Sequence, residues 1–172
     1  MARIKRIAAA LLPLIACVLL CAGCGIYSFS GTSIAPDVQS VSIDLFEYKA
    51  LRVNPSLATD LTEGLKDKFR KMTRLEQVDM DGDLEIAGTV TGYDVKATAV
   101  TAGEVAAMNR LTVTISVNYT NRKHPEEDFE KSFSAYSDYD STQSLDSVES
   151  TLCEDIVDQL CELVLNATVA NW

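Results

Sequence analysis

Apolar and polar residues alternate strictly between residues 111 and 120. One face of this segment carries Leu111, Val113, Ile115, Val117 and Tyr119, and the other carries Thr112, Thr114, Ser116, Asn118 and Thr120. A period of two predicts a strand with one buried face. A second alternation, from Phe129 to Tyr136, begins after the polar turn at residues 121–126 and predicts an antiparallel return strand.

Two further strands are predicted upstream. Residues 41–45 alternate between apolar and polar and form the first strand. Leu84, Ile86 and Val90 share one face of the next, but the apolar positions shift by one residue after Gly92, which predicts a β-bulge there. Between these strands, the acidic stretch at residues 79–83 lacks EF-hand spacing and predicts a hairpin turn.

Apolar residues recur at helical spacing in two segments. The first contains Leu57, Leu61, Leu65, Phe69 and Met72, and the second contains Leu152, Ile156, Leu160 and Leu163. Asn54-Pro55 offers the first helix an N-cap followed by proline at the first helical position. Asp146 and Glu149 offer the second a capping box. The order of these elements predicts an α+β two-layer sandwich, in which a largely antiparallel sheet of four to five strands carries two amphipathic helices on one face.

The N-terminus has the order of a signal peptide. Arg3, Lys5 and Arg6 precede an apolar run that ends in small residues, and the sequence around Gly23-Cys24 is similar to a bacterial lipobox. An uncleaved anchor is the alternative, but the run is short for a span and contains Pro13. We therefore predict a signal peptide at residues 1–23, cleavage after Gly23, acylation of Cys24, a tether at residues 24–40 and one domain at residues 41–172.

The predicted tether is rich in Ser, Gly and Thr, as flexible linkers are. Its first residues include Tyr27 and Phe29, which are too apolar for a simple spacer. These side chains are expected either to dock on the domain or to contact a partner or a lipid surface.

Charge and cysteine placement narrow the functional classes. Removing the signal peptide takes away three of 15 basic residues and none of 25 acidic ones, so the net charge changes from −10 to −13. An acidic domain argues against nucleic acid as a partner. Cys153 and Cys161 lie too far apart on the predicted helix to form a disulfide and are interpreted as packing residues.

Residues for catalysis are scarce. The single histidine, His124, precedes Pro125 in a predicted turn, and no nucleophile elbow, phosphate-binding loop, zinc spacing or dinucleotide motif accompanies it. We expect a binding or assembly protein that is not an enzyme and uses no cofactor or metal.

Several segments resemble the lipopolysaccharide-assembly lipoprotein (LptE) family, particularly its Bacteroidetes branch. They are residues 24–31, Asn54-Pro55 with residues 65–69, residues 107–112, and residues 141–148 with the Ala170-Asn171-Trp172 ending. The resemblance implies an outer-membrane lipoprotein on the periplasmic side. It would sit inside the β-barrel protein LptD, help that barrel to assemble, and support delivery of lipopolysaccharide to the outer leaflet. The family fold is also a sheet with two helices on one side.

This resemblance gives the surface residues two possible roles. Thr112, Thr114, Ser116 and Asn118 suit contact with a polar barrel lumen, although a sheet face that meets only water explains them equally well. Lipopolysaccharide phosphates would require cations, and the candidates are Arg110, Lys66, Lys68, Arg70, Lys71 and Arg74. A solvated helix face is the alternative for the last five.

A second functional class remains open at this stage. A small lipoprotein with a similar domain could activate or pilot another envelope machine, such as a cell-wall synthase or a secretin. Acylation and fold are common to both classes, so the partner recovered with the protein separates them.

Overall fold

The computed structural model describes residues 34–98 and 107–169. Its elements, in chain order, are β1 (Ser40–Ile43), β2 (Glu47–Tyr48), α1 (Leu57–Met72), β3 (Glu76–Val78), β4 (Leu84–Thr98), β5 (Met108–Asn121), a short 3-10 turn (Pro125–Glu127), β6 (Phe129–Asp140) and α2 (Leu145–Val169). The predicted signal peptide, Gly23, Cys24, Tyr27, Phe29 and the chain's last three residues lie outside the described residues.

The six strands form one mixed sheet. The order is β3-β1-β4-β5-β6, with β2 also paired to β4. Strands β4, β5 and β6 are antiparallel neighbours, whereas β1 is parallel to both β3 and β4. The α+β class is confirmed, and the extra strands β2 and β3 have two and three residues, too few to show an alternating pattern.

The acidic segment at residues 79–83 does not close a hairpin, so that prediction was wrong. It joins β3 to β4, which lie on opposite sides of β1, and therefore crosses the start of β1. Asp83 accepts hydrogen bonds from the backbone N–H groups of Gln39, at 2.9 Å, and Ser40, at 3.2 Å. A Cβ on Gly82 would lie 2.5 Å from the backbone nitrogen of Ser42. Asp83 and Gly82 therefore allow the chain to pass close to β1, and they do not form a turn between paired strands.

Both helices pack on the same face of the sheet. Helix α1 lies over β1 and β3, α2 lies over β5 and β6, and the two helices contact each other. At their contact, a Cβ on Gly64 would come within 3.1 Å of Val157 and 3.3 Å of Cys161. Leu57, Leu61, Leu65 and Phe69 are buried as predicted, but Met72 is 57% exposed because α1 ends there.

The predicted bulge is present in β4. Its pairing with β5 shifts between Val90 and Gly92, so that Val90 and Tyr93 both face the core. The bulge keeps the apolar positions on either side of Gly92 against the helices.

The first turn of α1 is capped by Asn54. Its Oδ1 accepts hydrogen bonds from the backbone N–H groups of Ser56 and Leu57, each at 3.2 Å, and Pro55 lies between. Regular helix is assigned from Leu57, but the capping oxygen is the one that the sequence predicted.

Replacing Asn54 with alanine is expected to lower the free energy of unfolding by at least about 1 kcal/mol, because it removes the N-cap and also the weaker contact of the buried Asn54 amide with Glu149. Ser56→Ala is the control: the Ser56 hydroxyl donates to Asn54 Oδ1 at 3.3 Å but caps no backbone N–H, so a smaller loss is expected. Urea denaturation of the two variants measures the difference. Equal losses in both would show that Asn54 is not the cap.

Helix α2 begins at Leu145, one residue before the predicted start. Glu149 accepts a hydrogen bond from the hydroxyl of Tyr93 on β4, and the Asn54 amide donates to the same carboxylate at 3.5 Å. Glu149 therefore connects α2 to the sheet and to the start of α1. The sequence predicted that the Glu149 carboxylate would take part in a capping box, whereas in the structure it binds these two side chains.

The two described cysteines pack in the core, as predicted. Cys153 and Cys161 are both buried free thiols. Burial raises the pKa of the Cys161 thiol to about 12, so it stays protonated and apolar at neutral pH.

The last residues of the predicted tether contact the domain. Val38 is buried, and Ile34 and Ala35 pack against the core. His124 Nε2 lies 3.2 Å from an Asp37 carboxylate oxygen, which raises the pKa of His124 and lowers that of Asp37. The histidine is thus a structural contact between this segment and the β5–β6 turn. Neither α1 nor α2, the two α-helices in the described ranges, is long and apolar enough to cross a membrane.

Candidate interaction surfaces

The sheet face opposite the helices is lined with hydroxyl and amide groups. Strand β5 contributes four of the residues singled out in the sequence, namely Thr112, Thr114, Ser116 and Asn118, and the structure brings all of them to this face. Ser132 and Ser134 of β6 stand opposite Ser116 and Thr114. The hydroxyl groups of Thr114 and Ser134 are 2.8 Å apart. We call this surface the hydroxyl face.

Arg110 lies at one end of the hydroxyl face. Its guanidinium makes two hydrogen bonds to Asp138, at 2.7 and 2.8 Å, and stacks 3.7 Å from the centroid of the Tyr136 ring. The cation lowers the pKa of the Asp138 carboxyl. Because the fork of Arg110 is already occupied by a carboxylate, it is a weak candidate for binding a phosphate group.

The cations of α1 do not form one patch. Lys68 points toward α2, where its ammonium lies 2.7 Å from Asp158, and its side chain is only 19% exposed. Lys66 pairs with Glu63 at 3.3 Å and Arg70 with Asp67 at 2.5 Å. These three cations are balanced by carboxylates of the chain itself.

Lys71 and Arg74 differ from the other candidates. Both are exposed, and neither makes an ion pair with any residue of the described ranges. Lys71 lies in the last turn of α1, and Arg74 lies two residues beyond the end of the helix. Of the six cations predicted to bind lipopolysaccharide, these two retain the most capacity for an external anion.

A groove of about 810 Å³ runs between α1 and α2. Its lining includes six carboxylates and, in the described part of the chain, no lysine or arginine; the carboxylates are Asp60, Glu63, Asp146, Glu149, Glu154 and Asp158. An anionic lipid would be repelled there. This argues that phosphate contacts, if made, lie outside the groove.

A smaller cleft of about 320 Å³ lies where the loop after β1 meets the hydroxyl face. Asp44, Leu45, Ser116, Asn118 and Glu130 are among its lining residues. Leu45 is 68% exposed, so the cleft has an apolar side chain at its margin. The hydroxyl face is therefore bordered by Leu45 near Asn118 and by Tyr136 near Arg110.

The sequence did not single out two residues that shape the hydroxyl face, Tyr136 and Asp138. Tyr136, which is 49% exposed, and Asp138 hold Arg110, but only the β5–β6 register brings them opposite Thr112 and Arg110. The alternation within β6 already assigned Tyr136 to the polar side of that strand. Neither residue carried a separate signal of its own.

Comparisons with known proteins give one sequence family and several solved structures that are similar at low sequence identity. No curated protein matches the sequence significantly. The hypothetical protein CT253 from Chlamydia trachomatis is similar in structure, with a TM-score of 0.51 and 8% identity over 78% of this chain and 99% of that one. A minor lipoprotein from Acinetobacter baumannii has a TM-score of 0.45 and 13% identity, covering 70% of this chain and 88% of its own. The rare lipoprotein B from Shewanella oneidensis has a TM-score of 0.45 and 11% identity, covering 72% and 92%.

The family assignment depends on the sequence model rather than on these distant structures. The model described as "LptE: Lipopolysaccharide-assembly" matches residues 38–168. This range begins before β1 and ends one residue before the end of α2, so it includes all six strands and almost all of both helices. The chain belongs to the LptE family of lipopolysaccharide-assembly proteins.

Proposed function

We propose that the protein is an outer-membrane lipoprotein, anchored through acylated Cys24 on the periplasmic side. It plugs the β-barrel LptD, helps that barrel to assemble, and so supports transport of lipopolysaccharide and its insertion into the outer leaflet. The role is not enzymatic. Membership of the LptE family and the lipoprotein leader support this proposal.

The observation that carries the barrel contact is the hydroxyl face. The interior of an outer-membrane barrel is polar and offers hydrogen-bonding groups to whatever fills it. Thr112, Thr114 and Ser116 are half-buried between their neighbours and Asn118 is exposed, so all four present short polar side chains on this face. These four side chains can approach a polar wall closely without bringing a charge of their own.

Ser116→Arg and Asn118→Arg test the barrel contact, because each places a long charged side chain in the middle of the hydroxyl face. We expect the amount of LptD that co-purifies with the tagged lipoprotein to fall by about tenfold, the effect of losing about 1.4 kcal/mol of binding energy. Thr59→Arg, on the exposed side of α1, is the control.

Circular dichroism of each variant shows whether the domain remains folded. If both folded variants retain LptD as the wild type does, the hydroxyl face is not the contact. Recovery of a cell-wall synthase or a secretin in place of LptD, in the wild type, would contradict the proposed function as a whole.

The double variant Lys71→Glu/Arg74→Glu tests direct contact with lipopolysaccharide. Charge-assisted hydrogen bonds to phosphate are stronger than neutral ones, so we expect binding of purified lipopolysaccharide to weaken about tenfold. Lys49→Glu/Arg52→Glu makes the same change in net charge on another exposed loop and should have little effect. Equal weakening in both double variants would indicate a general charge effect and no site at Lys71 and Arg74.

A further inference from the structure

Strand β6 forms one edge of the sheet and is long for an edge. It has 12 residues, and within the two described ranges it pairs only with β5. The pairing with β5 runs from Phe129 to Asp140 without a register shift. The opposite edge is formed by β3, which has only three residues. The two edges therefore differ greatly in the length of free backbone that they present.

The backbone groups that point away from β5 belong to every second residue of β6, and one of them, the Tyr136 carbonyl, is already bonded to a side chain of α2. Gln159 Nε2 donates to the carbonyl oxygen of Tyr136 at 3.4 Å, so this carbonyl points away from β5. In an antiparallel pair, the N–H and C=O of one residue point the same way and the direction alternates along the strand. Ser132, Ser134 and Asp138 therefore also direct their backbone groups outward.

Natural edge strands are usually protected by shortness, proline, bulges, charged side chains, or a helix or loop that covers the edge. Strand β6 has no proline and no bulge, and its charged residues are Glu130, Lys131, Asp138 and Asp140. Three of these four are acidic, so they disfavour pairing with an acidic strand but not with a cationic one. Apolar surface flanks the edge on both sides. Tyr136 is 49% exposed on the hydroxyl face, and Leu163, one helical turn after Gln159 on the same side of α2, is 41% exposed on the other.

We propose that the outer edge of β6 binds an extended segment of a partner protein by strand addition, and that this segment carries a cationic residue near each end. Backbone hydrogen bonds would provide affinity, and side chains on alternate faces would contact Leu163 and Tyr136. This site is separate from the contact of the hydroxyl face proposed above and does not depend on it.

Charge favours a different protein over a second copy of this chain. Suppose that two copies of β6 pair antiparallel, with their hydroxyl faces on the same side of the joined sheet. The even-numbered residues, whose backbone groups point outward, must then stand opposite one another. The two such registers with the greatest overlap set Glu130 opposite Asp140, or opposite Asp138, whose charge is already paired with Arg110. Like charges directly opposite are destabilising. A partner segment with Lys or Arg opposite Glu130 and Asp140 would instead be attracted.

A pair of synthetic peptides tests the proposal with the detergent-solubilised full-length protein. Each peptide has eleven residues, with lysine at both ends and valine alternating with threonine between them. In an extended peptide, the backbone groups of the lysines and threonines point to one edge and those of the valines to the other. In one peptide the valine nitrogens are methylated, so only the edge formed by the lysines and threonines can pair. In the other, the threonine nitrogens are methylated, which blocks that edge.

We expect the first peptide to bind and to slow amide hydrogen exchange at Ser132, Ser134 and Tyr136, and the second to bind at least about tenfold more weakly. Ser134→Pro removes an outward N–H without removing a hydrogen bond to β5, and should weaken binding by a similar factor. Ser134→Ala keeps the N–H and should bind like the wild type.

Four results would overturn the proposal. Equal binding of both peptides, or unchanged binding to folded Ser134→Pro, would show that the edge backbone is not used. Slow exchange of these amides without peptide, independent of protein concentration, would show that the edge is already covered. Concentration-dependent protection without peptide would identify a second copy as the occupant.

Discussion

Replacing Gly88 with alanine is expected to lower the free energy of unfolding by about 3 kcal/mol. Gly88 lies on the core side of β4, and the ring of Phe46 is packed directly over it. A Cβ at this position would lie 2.1 Å from Phe46 Cε1 and 2.4 Å from Cζ. Because Phe46 is only 3% exposed and its backbone N–H is bonded to Thr62, the ring cannot move away without disturbing the contact with α1.

Gly92→Ala is the matched control in the same strand. Its Cβ would lie 3.2 Å from Thr114 Cβ, a contact that a shift of a few tenths of an ångström relieves, so we expect a smaller loss of about 1 kcal/mol. Urea denaturation measures both variants. The double variant Phe46→Ala/Gly88→Ala should lose less than the sum of the single losses, because removing the ring makes space for the methyl group. Strict additivity would contradict a direct steric contact.

Replacing Cys24 with alanine is expected to abolish lipid attachment and removal of the leader. Intact mass measurement of the wild-type protein should show a chain that begins at Cys24 and carries acyl groups, and the variant should retain Met1 and no lipid. A single acyl chain binds a membrane only marginally, so stable anchoring depends on several chains at this one residue. Cys24 lies outside the described residues, and its acylation stays a prediction from the sequence.

Cys21→Ala provides the control, since Cys21 is the nearest alternative acceptor. Leu19 and Leu20 precede it where small residues are wanted, whereas Ala22 and Gly23 precede Cys24. The Cys21 variant should therefore give the same lipidated mature protein as the wild type. A wild-type protein that retains Met1 would contradict the proposed lipoprotein.

Local patterns in the sequence predicted the strands and helices in which buried and exposed residues recur at a regular spacing. The alternation in β5, the phase shift at Gly92 and the cap at Asn54 each depend on residues within a few positions of one another. The position of β1 between β3 and β4 could not be predicted in this way. It depends on Asp83 and Gly82 meeting residues 39–42, some 40 positions earlier, and no local period records such a contact.

The same distinction applies to the candidate site. The polar face of β5 could be predicted from the alternation of its residues. Which lysine and arginine side chains form ion pairs could not. Lys68 is paired through a contact between α1 and α2, and Arg110 through the register of β5 with β6. Lys71 and Arg74 look like the other cations of α1 in sequence, and only tertiary structure separates them.

The parallel arrangement of β1 also determines how the domain responds to force. The chain enters β1 from Ile34, and β1 is hydrogen-bonded to β3 on one side and to β4 on the other. A pull at Ile34 along the strand axis acts on both sets of hydrogen bonds in shear, so they must break together. Forced unfolding is governed by the rate of barrier crossing rather than by equilibrium stability. A pull on the N-terminal end of the domain therefore acts on the hydrogen bonds of β1 to both neighbouring strands at once.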